Sequence, residues 1–210
     1  EGDYLVGAAI TDGRCDVMLF SDDGKAVRFA EDDVRPMGRG ARGVRGMKLG
    51  EGSRVISMVV ADAEAKSVLT ATENGYGKRT AIAEYPRYGR GTQGVIAIQT
   101  SERNGKGVSA ALVDEKDEIV LVSTGGVLIR TKVAQIREMG RSTQGVSLIN
   151  LDAGTKLAGV EKIAEPEDEN GNGHANGSSN GSRPLSAELV AELQAAQVKL
   201  AAEQARYEIA

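Results

Sequence analysis

Three versions of one heptapeptide decide how this chain is read: Gly38-Arg39-Gly40-Ala41-Arg42-Gly43-Val44 (GRGARGV), then GRGTQGV at Gly89–Val95, then GRSTQGV at Gly140–Val146. Each step is 51 residues. Taken alone, the first version fits the G-x-G-x-x-G pattern of dinucleotide-binding loops, a pattern that should occur once, after a strand and opening a helix. Here it recurs, its central glycine becomes Ser142 in the third version, and VRGMKLG after Gly43 is too glycine-rich to start a helix. No Gly-Lys is followed by Ser or Thr, so a P-loop fails as well. The glycines read as turn residues of a repeating architecture.

The register extends beyond the heptapeptide. Ser21, Thr72 and Ser123 align, as do Gly24, Gly75 and Gly126, Arg28, Arg79 and Arg130, and Val34, Tyr85 and Ile136. Each unit opens with a compact apolar run: Val17–Phe20, Val68–Thr70 or Ile119–Val122. A turn ending in glycine follows, and then a second apolar run, which together signal a hairpin. A third strand after the Gly-Arg loop and a fourth at Val55–Val60 or Val108–Val113 would complete a four-stranded, propeller-type blade. The spacing therefore predicts an all-β, propeller-like disc with blades at 17–67, 68–118 and 119–169. Ala8-Ala9-Ile10 aligns with the end of a fourth strand, so 1–16 reads as the end of a preceding blade. Three blades form an arc rather than a closed ring, and the opening EGDYLV lacks an initiator methionine, so the chain reads as a piece of a larger disc.

Composition narrows the chemistry. Aromatic residues are 3% and tryptophan is absent, so the core must rest on Val, Ile, Leu, Met and Ala. Cys15 is the single cysteine and His174 the single histidine, in Asn-Gly-rich sequence, which excludes a zinc site or a Cys-His catalytic pair. A lone cysteine suits a reducing cytosol, and no apolar run reaches a membrane-spanning length. Tyr85 aligns with Val34 and Ile136, and Tyr88 with Met37 and Met139, so both read as packing positions. No paired carboxylates are spaced for acid–base work, and no catalytic residue is assigned.

Charge is segregated along each unit. The windows 24–48, 75–99 and 126–150 hold 15 of the chain's 26 Lys and Arg but only 5 of its 30 Asp and Glu. Equivalent sectors of successive blades share a rim, so the candidate DNA-binding residues form a curved basic track. They are Arg28, Arg35, Arg39, Arg42, Arg45 and Lys48; Lys78, Arg79, Arg87 and Arg90; and Arg130, Lys132, Arg137 and Arg141. Such a track suits a bent duplex held through its phosphates. The competing reading makes some of them structural, above all the aligned Arg28, Arg79 and Arg130.

The stretches 11–29, 70–95 and 140–151, ending in VEKIAEPEDE at 160–169, closely resemble the C-terminal DNA-wrapping domain of the bacterial DNA gyrase A subunit. The resemblance implies a strand-exchanged β-pinwheel of six blades, of which this chain would hold the fourth to sixth. It implies double-stranded DNA as ligand, and as partners the gyrase B subunit and a second gyrase A subunit in an A2B2 heterotetramer. The whole would be an ATP-dependent type II topoisomerase that introduces negative supercoils, cytoplasmic and nucleoid-associated, with ATP and Mg bound outside this chain and no cofactor within it. The family's first-unit glutamine-arginine-arginine-glycine box and its nucleophilic tyrosine have no counterpart here. The topoisomerase IV A subunit carries a similar domain, and a propeller-type protein-interaction scaffold is the alternative from another class. Residues 170–183 read as a flexible linker, and Leu189, Leu193, Ala196 and Leu200 predict an amphipathic helix within 184–210, either a regulatory element or material foreign to the natural protein.

Overall fold

The computed structural model describes residues 4–61 and 66–163, so the expected linker and helix at 170–210 lie outside the described residues. The described chain is all-β, interrupted only by three short 3-10 turns. Its strands are β1 (Asp16–Ser21), β2 (Lys25–Ala30), β3 (Val55–Ala61), β4 (Ser67–Thr72), β5 (Tyr76–Ala81), β6 (Val95–Ile96), β7 (Gly107–Val113), β8 (Glu118–Ser123), β9 (Leu128–Lys132), β10 (Val146–Ser147) and β11 (Leu157–Ile163).

Each unit begins with the hairpin its turn residues demand. The N–H of Gly24 donates to Ser21 O at 3.0 Å, that of Gly75 to Thr72 O at 3.0 Å, and that of Gly126 to Ser123 O at 3.1 Å. The three glycines have φ of 81°, 80° and 80°, a left-handed conformation that side chains with a Cβ resist. The paired strands then run antiparallel, for example Met18 opposite Arg28 and Leu69 opposite Arg79.

The sheets do not coincide with the sequence units. Their strand orders are β3-β1-β2-β6, β10-β5-β4-β7 and β11-β8-β9. The short strand after the second and third Gly-Arg loops leaves its own unit and adds to the blade of the preceding one: β6 pairs with β2, and β10 with β5. The cores of the first two blades are therefore shared. Met18, Phe20 and Ala26 of the first unit pack with Ile82, Tyr85 and Ala97 of the second. The rings of Phe20 and Tyr85 meet edge to face, centroids 6.2 Å apart. In the second blade Leu69 and Ala71 pack with Val133, Ile136 and Ile149.

Three expectations need correction. Residues 44–49 follow the first Gly-Arg loop but form no strand, because no described blade lies on that side to receive them. Residues 4–15 also form no strand; Tyr4, Leu5 and Ile10 are exposed, and the Ala8-Ala9-Ile10 segment has no sheet to join. Tyr88 is not a packing residue, since 52% of its surface is exposed. Tyr85, in contrast, lies in the core as expected, only 1% exposed.

Candidate nucleic-acid interface

The Gly-Arg loops of successive units lie side by side. The N–H of Lys48 donates to Thr92 O at 2.8 Å, and one repeat later the N–H of Gln99 donates to Thr143 O at 2.9 Å. Arginine side chains repeat the same spacing. Arg90 Nη1 donates to Arg45 O at 3.2 Å, and Arg141 Nη1 to Ile96 O at 3.0 Å. Arg90 Nε also donates to Asp33 O at 2.8 Å. The heptapeptide arginines of the second and third units, Arg90 and Arg141, thus each span to the unit before. Its hydrogen bonds go to neutral carbonyls, which orient the guanidinium without cancelling its charge. The result is one continuous edge on which all three basic windows meet. The loops lead into β6 and β10 and not into helices, which removes the helix N-terminus a dinucleotide loop needs.

The fourteen expected DNA-binding residues divide by environment. Arg28 is buried; its Nε donates to Asp16 Oδ2 at 2.7 Å and its Nη1 to Ile82 O and Tyr85 O at 3.1 and 3.2 Å. Arg79 is buried as well, with Nε on Ile136 O at 2.7 Å. Lys78 is fully buried, its Nζ donating to Gly140 O and Arg141 O, and burial pulls its pKa down to about 8. These three lie buried and fasten one unit to the next, unlike the other expected DNA-binding residues. The physical reason is the strand exchange, which turns the following unit's carbonyls towards them.

Arg87 and Arg130 are exposed but paired. Arg87 Nη2 is 2.6 Å from Asp16 Oδ1, and Arg130 forms an ion pair with Glu118. Arg35, Arg39, Arg42, Arg45, Lys48, Lys132 and Arg137 are exposed and form no ion pair among the described residues. Arg141 is half-buried and held as described above. With Arg90, these make nine cations whose side chains form no ion pair among the described residues.

Tyr88 is the residue that sequence reasoning missed. Its N–H donates to Arg28 O at 2.9 Å, which fixes the backbone while the ring stays exposed. It stands between Arg87 and Arg90, and that flanking charge, rather than its alignment with Met37 and Met139, was the available signal.

A strand-exchanged array of blades with a continuous basic edge defines a propeller-type repeat domain suited to a polyanion. The family described as DNA gyrase C-terminal domain, beta-propeller matches residues 16–62, 66–114, 101–120 and 117–164, and the chain belongs to that family. It is 54% identical over 166 residues to the DNA gyrase A subunit of Pseudomonas aeruginosa, a match covering 79% of this chain and 18% of that protein. It is 50% identical over 169 residues to the DNA gyrase A subunit of Escherichia coli K12, covering 80% of this chain and 19% of that protein. The chain thus spans about a fifth of the length of these relatives. Among solved structures, a DNA gyrase A C-terminal domain superimposes with a TM-score of 0.67 at 33% identity, over 72% of this chain and 51% of that one. The C-terminal domain of a DNA topoisomerase IV superimposes with a TM-score of 0.69 at 26% identity, over 73% and 48%.

Proposed function

We propose that this chain is a DNA-binding and DNA-wrapping part of a gyrase A subunit. The observation that carries the reading is the in-register stacking of three Gly-Arg loops, Lys48 on Thr92 and Gln99 on Thr143, along an edge rich in unpaired arginines. A duplex following that edge meets cations at each repeat and bends with it. Binding gains free energy by releasing condensed counterions, so it needs no base contacts. The contact set proposed is Arg35, Arg39, Arg42, Arg45, Lys48, Arg90, Lys132, Arg137 and Arg141, with Arg87 and Arg130 as weaker members because a carboxylate already engages each. The higher identity to gyrase relatives favours gyrase over topoisomerase IV.

In the whole enzyme the wrapped duplex would be delivered to a breakage domain elsewhere in the gyrase A polypeptide. Negative supercoiling would draw on ATP and Mg bound with the gyrase B polypeptide, in an A2B2 assembly in the bacterial cytoplasm. Within this chain the residues bind and bend DNA and do no bond chemistry. The test is a titration of linear duplex at increasing salt. A steep linear fall of log affinity with log salt, insensitive to base sequence, supports the reading; salt-independent binding, or none at low salt, overturns it.

A further inference from the structure

One buried charge has no counterpart in the other units. Lys78 is 0% exposed and forms no ion pair among the described residues. Its equivalents one repeat to either side are Val27 and Ile129, so the fold does not require a cation there. Burying an ammonium without a carboxylate on it is costly. Glu84 favours its charged form and Arg141 opposes it, neither in direct contact as an ion pair. Its hydrogen bonds go to two main-chain oxygens of the third Gly-Arg loop, Gly140 O and Arg141 O.

The peptide between Arg141 and Ser142 carries that contact outward. It is trans, so its C=O and N–H point in opposite directions. With the carbonyl turned inward onto Lys78, the Ser142 N–H is turned away from the ammonium. Ser142 is exposed, and neither its N–H nor its hydroxyl has a partner among the described residues. The second loop is built differently. There Val27 stands in place of Lys78, and the equivalent N–H, that of Gly91, donates to Gly46 O at 2.6 Å. Two departures from the repeat therefore coincide: a cation inside the turn, and a serine with unengaged donors outside it.

The remainder of the third loop is fastened in the same sense. Gln99 N–H donates to Thr143 O at 2.9 Å, Asn104 Nδ2 to Gln144 O at 3.1 Å, and Thr143 Oγ1 to Gly140 O at 2.9 Å. One anionic group already sits on the other side of the turn, where Glu84 Oε2 accepts the Arg141 N–H at 3.1 Å.

We propose, on the reading that this edge binds DNA, that the third Gly-Arg loop is a built phosphate site. The N–H and hydroxyl of Ser142 are its donors, and Lys78 is the positioning residue behind them. The ammonium polarises the Arg141–Ser142 peptide from its oxygen end, which strengthens the bond its N–H makes to a phosphate oxygen. Arg141, steered by Ile96 O, supplies the neighbouring positive charge. A phosphate there favours the charged form of Lys78, whose pKa burial lowers to about 8 in the free protein. Above that pH, binding takes up a proton and weakens as pH rises.

The test uses the intact 210-residue chain and a short linear duplex at low salt. In nitrogen–proton correlation spectra the Ser142 amide proton should move downfield on adding duplex, and that of Gly91 should move less. Lys78→Met should bind about tenfold more weakly, while the steep salt dependence carried by the exposed arginines persists. Wild-type affinity, taken relative to that variant, should be flat below about pH 8 and fall above it. The amide shift is read on the wild-type chain, so it decides the matter even should Lys78→Met unfold. If duplex binds while the Ser142 amide stays put, or if wild type and Lys78→Met bind alike at every pH, the phosphate site is wrong and the DNA reading stands. If the wild-type chain binds no duplex at all, the DNA reading fails and takes the site with it.

Discussion

Asp16 on β1 reaches across the strand exchange to Arg87 of the next repeat, with Oδ1 2.6 Å from Nη2. The same carboxylate receives Arg28 Nε at 2.7 Å, so one buried anion joins a buried and an exposed arginine from different units.

Removing that anion takes from the buried Arg28 the carboxylate to which its Nε donates. Asp16→Ala should therefore destabilise the array by about 3 kcal/mol, as expected when one partner of a buried pair is lost. Urea unfolding checks this. An unchanged midpoint would mean that the remaining contacts of Arg28, the carbonyls of Ile82 and Tyr85 among them, suffice to hold the guanidinium.

DNA affinity should separate from stability along the same division. Arg39→Glu with Arg42→Glu removes two exposed, unpaired cations and should flatten the slope of log affinity against log salt by about 2, with melting unchanged. Arg79→Gln should lower the melting temperature instead. A loss of salt slope in Arg79→Gln, with the fold intact, would return the buried arginines to the DNA-contact set.

Lys78 gives the array a pH dependence. Burial lowers its folded pKa to about 8 from an ordinary 10.5, so between those values the unfolded chain binds the additional proton. Stability from this group then rises with pH across that interval. The wild-type melting temperature, measured relative to Lys78→Met, should climb from about pH 8 to about pH 10.5 and stay flat below it. A relative decline over that interval would show that the charged form is the favoured one.

Glycines of the same type should differ in their tolerance of a methyl group. Gly94→Ala places a carbon 2.1 Å from Ala26 O and should break the exchanged strand, with a large loss of stability. Gly43→Ala meets open space and should cost only about 1 kcal/mol, the penalty of its left-handed backbone. Thermal denaturation of the two variants decides the comparison.

Much of this architecture was legible in one sequence. The 51-residue step, the hairpins closed by Gly24, Gly75 and Gly126, and the core position of Tyr85 all rest on local signals: spacing, turn chemistry and apolar alternation. The division of the arginines was not legible, because it depends on contacts far along the chain. Arg28 and Arg130 occupy equivalent positions, yet the carbonyls of Ile82 and Tyr85 enclose the first, and no described unit does so for the second. Tyr88 misled in the opposite way. Its aligned methionines suggest packing, but a tyrosine ring at the same backbone position projects into solvent.

The borrowed strands also impose an order in time. During synthesis the first blade can begin once its opening hairpin leaves the ribosome, but it stays short of its last strand until Ile96 has emerged. The second blade waits in the same way for Ser147. Deleting a single repeat would consequently leave its neighbour's junction to be rebuilt with a foreign strand, so such proteins should gain or lose blades only when donor and recipient residues change together.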